Sequence, residues 1–176
     1  KIKADLLNRG LLVVNGVFAS ASAASKTREL LLVNKTGKVR IYLCSSGGIV
    51  AEALGLHDAI AGLTAQGVET EVVGLGVVAS AAVVVLQAAK RRLALPNTQF
   101  MLHEVGREGS HYESTSDTAI VVKEMLRLQS IIFDIICKRT GMTVVELRKR
   151  IGKKERWLSA KEAVEWNLVD GITSGG

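Results

Sequence analysis

The chain has 176 residues, 48% of them hydrophobic and only 4% aromatic, and a formal net charge of +6. That length suits one domain with an aliphatic core, and one proline beside 17 glycines argues against disorder. The positive charge gathers at Lys90-Arg91-Arg92, Arg148-Lys149-Arg150 and Lys153-Lys154 with no aromatics interleaved. Such runs fit solvated faces or subunit contacts rather than a nucleic-acid surface.

Residues 11–14 predict a strand, stopped by Asn15-Gly16. Residues 20–33 have helical composition and an apolar face. Residues 39–43 predict a buried strand leading into Ser45-Ser46-Gly47-Gly48. Residues 49–65 predict a helix with Ile49, Ala53, Leu56, Ile60 and Leu63 on one stripe. Residues 68–73 predict the next strand, which feeds Gly74-Leu75-Gly76, and Ser80 opens a helix running to about residue 89. This alternation implies an α/β fold of mostly parallel strands with right-handed crossovers. Beyond His103 a polar stretch, 104–116, precedes a long helix over 117–140 that Gly141 stops. Thr143 with Glu146, and Ser159 with Glu162, have the spacing of capping boxes. Residues 168–172 close the chain as a short strand and turn.

Cys44 and Cys137 form no CxxC pair, so zinc is not expected; both lie in apolar stretches as reduced core residues. No secretory signal opens the chain, and the longest apolar run, 77–86, is too short to cross a bilayer. A cytoplasmic protein is expected. The absence of a Walker loop, a dinucleotide fingerprint and an HExxH pair leaves no cofactor or metal to expect.

Acyl transfer needs a nucleophile, a base, a group to orient the base, and donors for the oxyanion. Ser80 is the candidate nucleophile, with Gly76 and Ala79 permitting a tight strand-to-helix turn. The Ala81 N–H at the helix start is one candidate oxyanion donor, and Gly47-Gly48 offers a second, since glycine allows close backbone approach. His103, at the end of an apolar run, is the candidate base. His57 falls within a helical stretch and His111 in a polar loop. For the third member, spacing leaves Asp117, Asp134, Asp170 and Glu155 all eligible. Taken locally, the same residues also fit a plain helix cap at Ser80 and a simple chain turn at Gly48.

In order along the chain, residues 41–48 resemble "IYINSPGG" and residues 76–80 resemble "GMAAS". Residues 94–97 and 101–103 resemble "ALPNS" and "MIH". Residues 139–141 resemble "HTG", and 156–170 resemble the closing "RFLSAEEAKEYGLID". These are motifs of the proteolytic subunit of the Clp protease, in the ClpP/crotonase superfamily. The resemblance implies a ClpP/crotonase-type β-α superhelical domain spanning residues 1–176, with a protruding helix-plus-strand handle over about 104–140. It implies a serine endopeptidase with Ser80 as nucleophile, His103 as base, Glu155 as third member, and the N–H groups of Gly48 and Ala81 as oxyanion hole. It further implies a polypeptide substrate, a homo-oligomer of stacked heptameric rings enclosing the sites, and an ATPase unfoldase as partner.

The chain departs from the family pattern at several positions. Glu155 stands where the family has aspartate, which keeps the charge and adds a methylene. Ser46 replaces the proline of the oxyanion loop, Glu104-Val105 replaces Gln-Pro after the base, and Ala82 replaces a glycine. The stretch between Gly48 and Ser80 is longer, with the extra residues around 65–68. Lys1 falls near the family's first helix, so the segment that lines the axial pore in relatives is not expected within these residues. Three further readings are a ring subunit without activity, an acyl-CoA enzyme of the crotonase branch, and a serine enzyme with a lysine base.

Overall fold

The computed structural model describes residues 5, 6, 8–19, 27, 31, 37–106 and 114–174. The helix predicted over 20–33 and the loop histidine His111 fall outside the described residues or almost entirely so.

Among the described residues seven strands join in one sheet. β1 (Leu11–Asn15), β2 (Lys38–Ser45), β3 (Glu69–Ala79) and β4 (Arg91–Ala94) lie parallel in that order, with β7 (Gly171–Ile172) beyond β4. β3 is long enough to serve two neighbours. Its first half pairs with β4 and its last residues pair with β5 (Gln99–Leu102), to which β6 (Arg156–Ser159) adds antiparallel. The sequence predicted a break after residue 73, but the strand runs on to Ala79. The glycines that suggested the break sit inside it. Gly76 takes φ +64°, and the β2–β3 register slips between Leu43 and Ser45, so the extra residues are absorbed as a bulge.

β2 alternates as a strand with one covered face must: Val39, Ile41, Leu43 and Ser45 are buried, and Arg40, Tyr42 and Cys44 are half-exposed. α1 (Val50–Ala65) buries Ala53, Leu56, Ile60 and Leu63. Ile49, expected on the same stripe, is the extended N-cap residue, which takes it out of the helical rotation and leaves it 50% exposed. α2 (Ala81–Gln87) is buried at every position. Its polar member, Gln87, donates to the carbonyl of Leu168 and accepts from Arg92.

α3 (Thr115–Thr140) starts at Ser114, whose hydroxyl accepts the Asp117 N–H, and stops at Gly141 with φ +79°. Phe133 and Ile136 in its C-terminal half join the core, while Ile120 and Leu126 nearer its start stay 67% and 57% exposed. α4 (Val144–Ile151) is capped by Thr143, which accepts the Glu146 N–H. α5 (Ala160–Glu165) carries the full capping box of Ser159 and Glu162. Neither cysteine is fully buried, and both are free thiols. Arg92, expected on a solvated face, is buried instead. The alternation of β4 turns it inward, where it donates to Asp170, Gln87 and the carbonyls of Asn167 and Arg139.

Candidate active site

The β3–β5 ladder pairs Ala79 with Met101, so the chain leaves β3 at Ser80 where β5 delivers His103 just past its end. The Ser80 N–H donates to the Met101 carbonyl at 2.7 Å, which pins the serine to the histidine's strand. Ser80 Oγ then lies 2.5 Å from His103 Nε2. With its proton on Nδ1, neutral imidazole leaves Nε2 free to accept the hydroxyl proton. Ser80 adopts φ +55° and ψ −127°, a conformation costing a non-glycine residue on the order of 1–3 kcal/mol. The side chain makes no cap hydrogen bond to α2, so the plain-cap reading of Ser80 does not hold: the hydroxyl is given to His103.

Gly47 and Gly48 wrap the serine from the other side. An added Cβ at Gly47 would meet the Ala79 carbonyl and Ser80 Cβ at 2.8 Å. Gly48 takes φ +130° and bridges to Phe18, with Phe18 N–H donating to Gly47 and Ile49 N–H donating to Phe18, each at 2.7 Å. The Gly47 N–H donates to Ser45 Oγ at 3.1 Å. The loop that lacks the family's proline at Ser46 is thus held by hydrogen bonds. The N–H groups of Gly48 and Ala81 have no acceptor among the described residues. α2 is too short for its dipole to decide much; the two unused donors are the feature that suits an anion.

The serine and histidine open onto a cleft of about 820 Å³ whose walls include Val50, Val83, Ile132, Phe133 and Ile136. Among the described residues its acidic lining is Glu104 and Glu155, and no lysine lines it. A lysine base therefore has no support among the described residues.

The β5–β6 ladder pairs Met101 with Trp157 and Leu102 with Arg156, so His103 and Glu155 each lie one residue beyond its last pair, and both line the cleft. The Glu155 carboxylate nevertheless accepts from the Trp157 indole N–H at 3.1 Å, and the structure forms no hydrogen bond between Glu155 and His103. The other eligible carboxylates stand away from the cleft. Asp117 bonds Ser114, Asp134 is exposed on α3, and Asp170 holds Arg92. His57, on α1, contacts Asp58. Sequence reasoning missed Gln129, a buried residue of α3 whose Oε1 accepts the Val105 N–H at 3.0 Å, tying the helix to the chain just past the histidine. A lone glutamine among the apolar positions of a helix was the available signal.

The Clp protease family model matches residues 1–175. The chain belongs to the Clp protease family. Its relatives in that family include ATP-dependent Clp protease proteolytic subunit 1 of Thermobifida fusca, 32% identical over 138 residues. That match covers 76% of this chain and 59% of the relative. ATP-dependent Clp protease proteolytic subunit 3 of Rhizobium etli is 33% identical over 138 residues, covering 77% of this chain and 68% of the relative. The α/β arrangement with its parallel sheet is that of the Clp protease fold. Among the described residues no helix is long and apolar enough to cross a membrane.

Proposed function

We propose that this Clp protease family member is a serine endopeptidase, with Ser80 as nucleophile and His103 as base. The contact that carries the reading is the 2.5 Å approach of Ser80 Oγ to His103 Nε2 at a strained corner of the chain. In the reaction, His103 takes the hydroxyl proton as Oγ bonds to a peptide carbonyl carbon. The developing oxyanion sits between the N–H groups of Gly48 and Ala81, a contribution of roughly 3–4 kcal/mol per donor in comparable hydrolases. His103 then protonates the leaving amine, and water releases the acyl group from Ser80 by the reverse sequence. The proposed third member is Glu155, which lines the same cleft as Ser80 and His103 and would orient the imidazole when its carboxylate turns toward it.

The proposed substrates are unfolded polypeptides, cut inside a barrel of stacked heptameric rings in the cytoplasm. Residues 1–176 would act as one domain, with about 104–140 as the handle by which rings interlock. The exposed Val122 and Leu126, one turn apart on the same face of α3, support that role, since the single chain leaves both uncovered. An ATPase partner is proposed because both relatives are named as ATP-dependent.

The test is labelling with a fluorophosphonate, which reacts with activated serines, across sizing-column fractions. Labelling in the large assembly is expected in wild type and is lost in Ser80→Ala and His103→Ala. Failure of every fraction to label would leave a ring subunit without activity.

A further inference from the structure

Glu155 lines the cleft together with His103, yet its carboxylate is engaged elsewhere. The Trp157 indole N–H donates to it at 3.1 Å. Proximity along the chain explains why these two meet. Glu155 immediately precedes β6 and Trp157 is its second residue, so the two are close enough along the chain for the carboxylate to reach the indole. The extra methylene of glutamate lets the carboxylate fold back along the strand toward the ring. Trp157 is 50% exposed, so core packing does not fix its place. The indole has one polar atom, a donor, and it is given to Glu155. A phenylalanine would cover the same surface and offer nothing to the carboxylate.

We infer that Trp157 is a positioning residue that restrains Glu155 from His103, so that the site rests as a serine–histidine pair with its carboxylate held beside it. The inference rests on the Ser80–His103 reading above. The restraint is exchangeable, because a hydrogen bond at a half-exposed position competes with water. His103 and Glu155 each lie one residue past the last β5–β6 pair and share a cleft that no lysine or arginine among the described residues lines, so removal of the indole N–H frees the carboxylate toward His103. Engagement of His103 by the carboxylate fixes the tautomer with Nδ1 protonated and stabilises the imidazolium formed during attack.

Trp157→Phe keeps an aromatic ring and removes the donor. Its peptide kcat and its rate of fluorophosphonate acylation are expected to rise about tenfold, with KM within about twofold of wild type. The gain should vanish in the Trp157→Phe/Glu155→Gln double variant relative to Glu155→Gln alone. A gain that survives there, an unchanged kcat, or a fall in kcat overturns the inference. Independently of activity, the Trp157 indole N–H resonance is one of two in the chain and is assigned by its loss in Trp157→Phe. It should move in Glu155→Gln, and a resonance that stays put shows that the restraint does not exist. If it moves while no variant labels at Ser80, the peptidase reading fails, and the restraint of a working base falls with it.

Discussion

At Ser80 three independent backbone constraints meet. The β3–β5 register fixes where the chain leaves the sheet, the Met101 carbonyl takes the serine N–H, and Gly47 closes over the side chain. The last is the tightest. Gly47 has φ +93°, and a methyl there would lie 2.8 Å from Ser80 Cβ and 3.0 Å from the Ala81 nitrogen. Gly47→Ala is therefore expected to destabilise the fold by about 1–3 kcal/mol through overpacking. It should also cut serine labelling, because relief of the clash moves Ser80 or Ala81. A thermal melt beside a labelling time course checks both, and an alanine variant with wild-type labelling would show that the loop does not set the serine. The candidates Ser80, His103, Gly48 and Ala81 were legible in the sequence because each sits in a short local motif. The Trp157 contact was not, since it depends on where a flexible glutamate side chain comes to rest.

Among the elements, β3 and α3 carry the most consequence. β3 reads as a short strand and a turn, because glycine usually ends strands. In the sheet its glycines serve a bulge instead, and the added length lets one strand pair with β4 at one end and β5 at the other. That division brings the serine to the histidine. The end of α3 at Gly141 was legible because a glycine stop is local chemistry, while its start, read at Asp117, lies two residues earlier at Thr115 behind the Ser114 cap. Its two halves differ in environment. Phe133 and Ile136 line the cleft, while Leu126, two turns earlier, is 57% exposed. On the proposed assembly, Leu126→Asp places a charge in a contact between subunits and leaves the core untouched. Sedimentation should show a shift to smaller species with an unchanged melting temperature of the dissociated chain. An unaltered assembly would remove α3 from the interface.

Across the whole molecule, the C-terminal segment is locked to the sheet by Arg92 and Asp170. Arg92 is buried and satisfies its guanidinium with Asp170, Gln87 and two backbone carbonyls, while its N–H also donates to Asp170 at 2.7 Å. Burial alone would raise the Asp170 carboxyl, but the hydrogen bonds and positive charge of Arg92, with the charge of Arg139, outweigh it and hold the carboxyl below its ordinary value. A carboxyl depressed on folding stabilises the native state above the unfolded value, about 3.9, and loses that contribution as pH falls through the folded value. Asp170→Asn should lower the melting temperature at pH 7, by leaving Arg92 short of its charged partner. The gap to wild type should narrow below about pH 4. A gap that is constant from neutral to acid pH would mean that the ion pair is not the lock.

The sequence by itself determined the class of the fold, the stop of the long helix at Gly141, the caps of the two C-terminal helices at Thr143 and Ser159, and a serine and a histidine in motifs that resemble one peptidase family. Each of these is written in short-range spacing, turn residues or local motif strings. Tertiary structure alone decided that Arg92 is buried, that β3 spans two neighbours, that Ser80 meets His103 at 2.5 Å, and that Glu155 bonds Trp157. Those outcomes depend on strand register and on competition among donors for one carboxylate, and both are settled only when residues far apart in the chain are brought side by side.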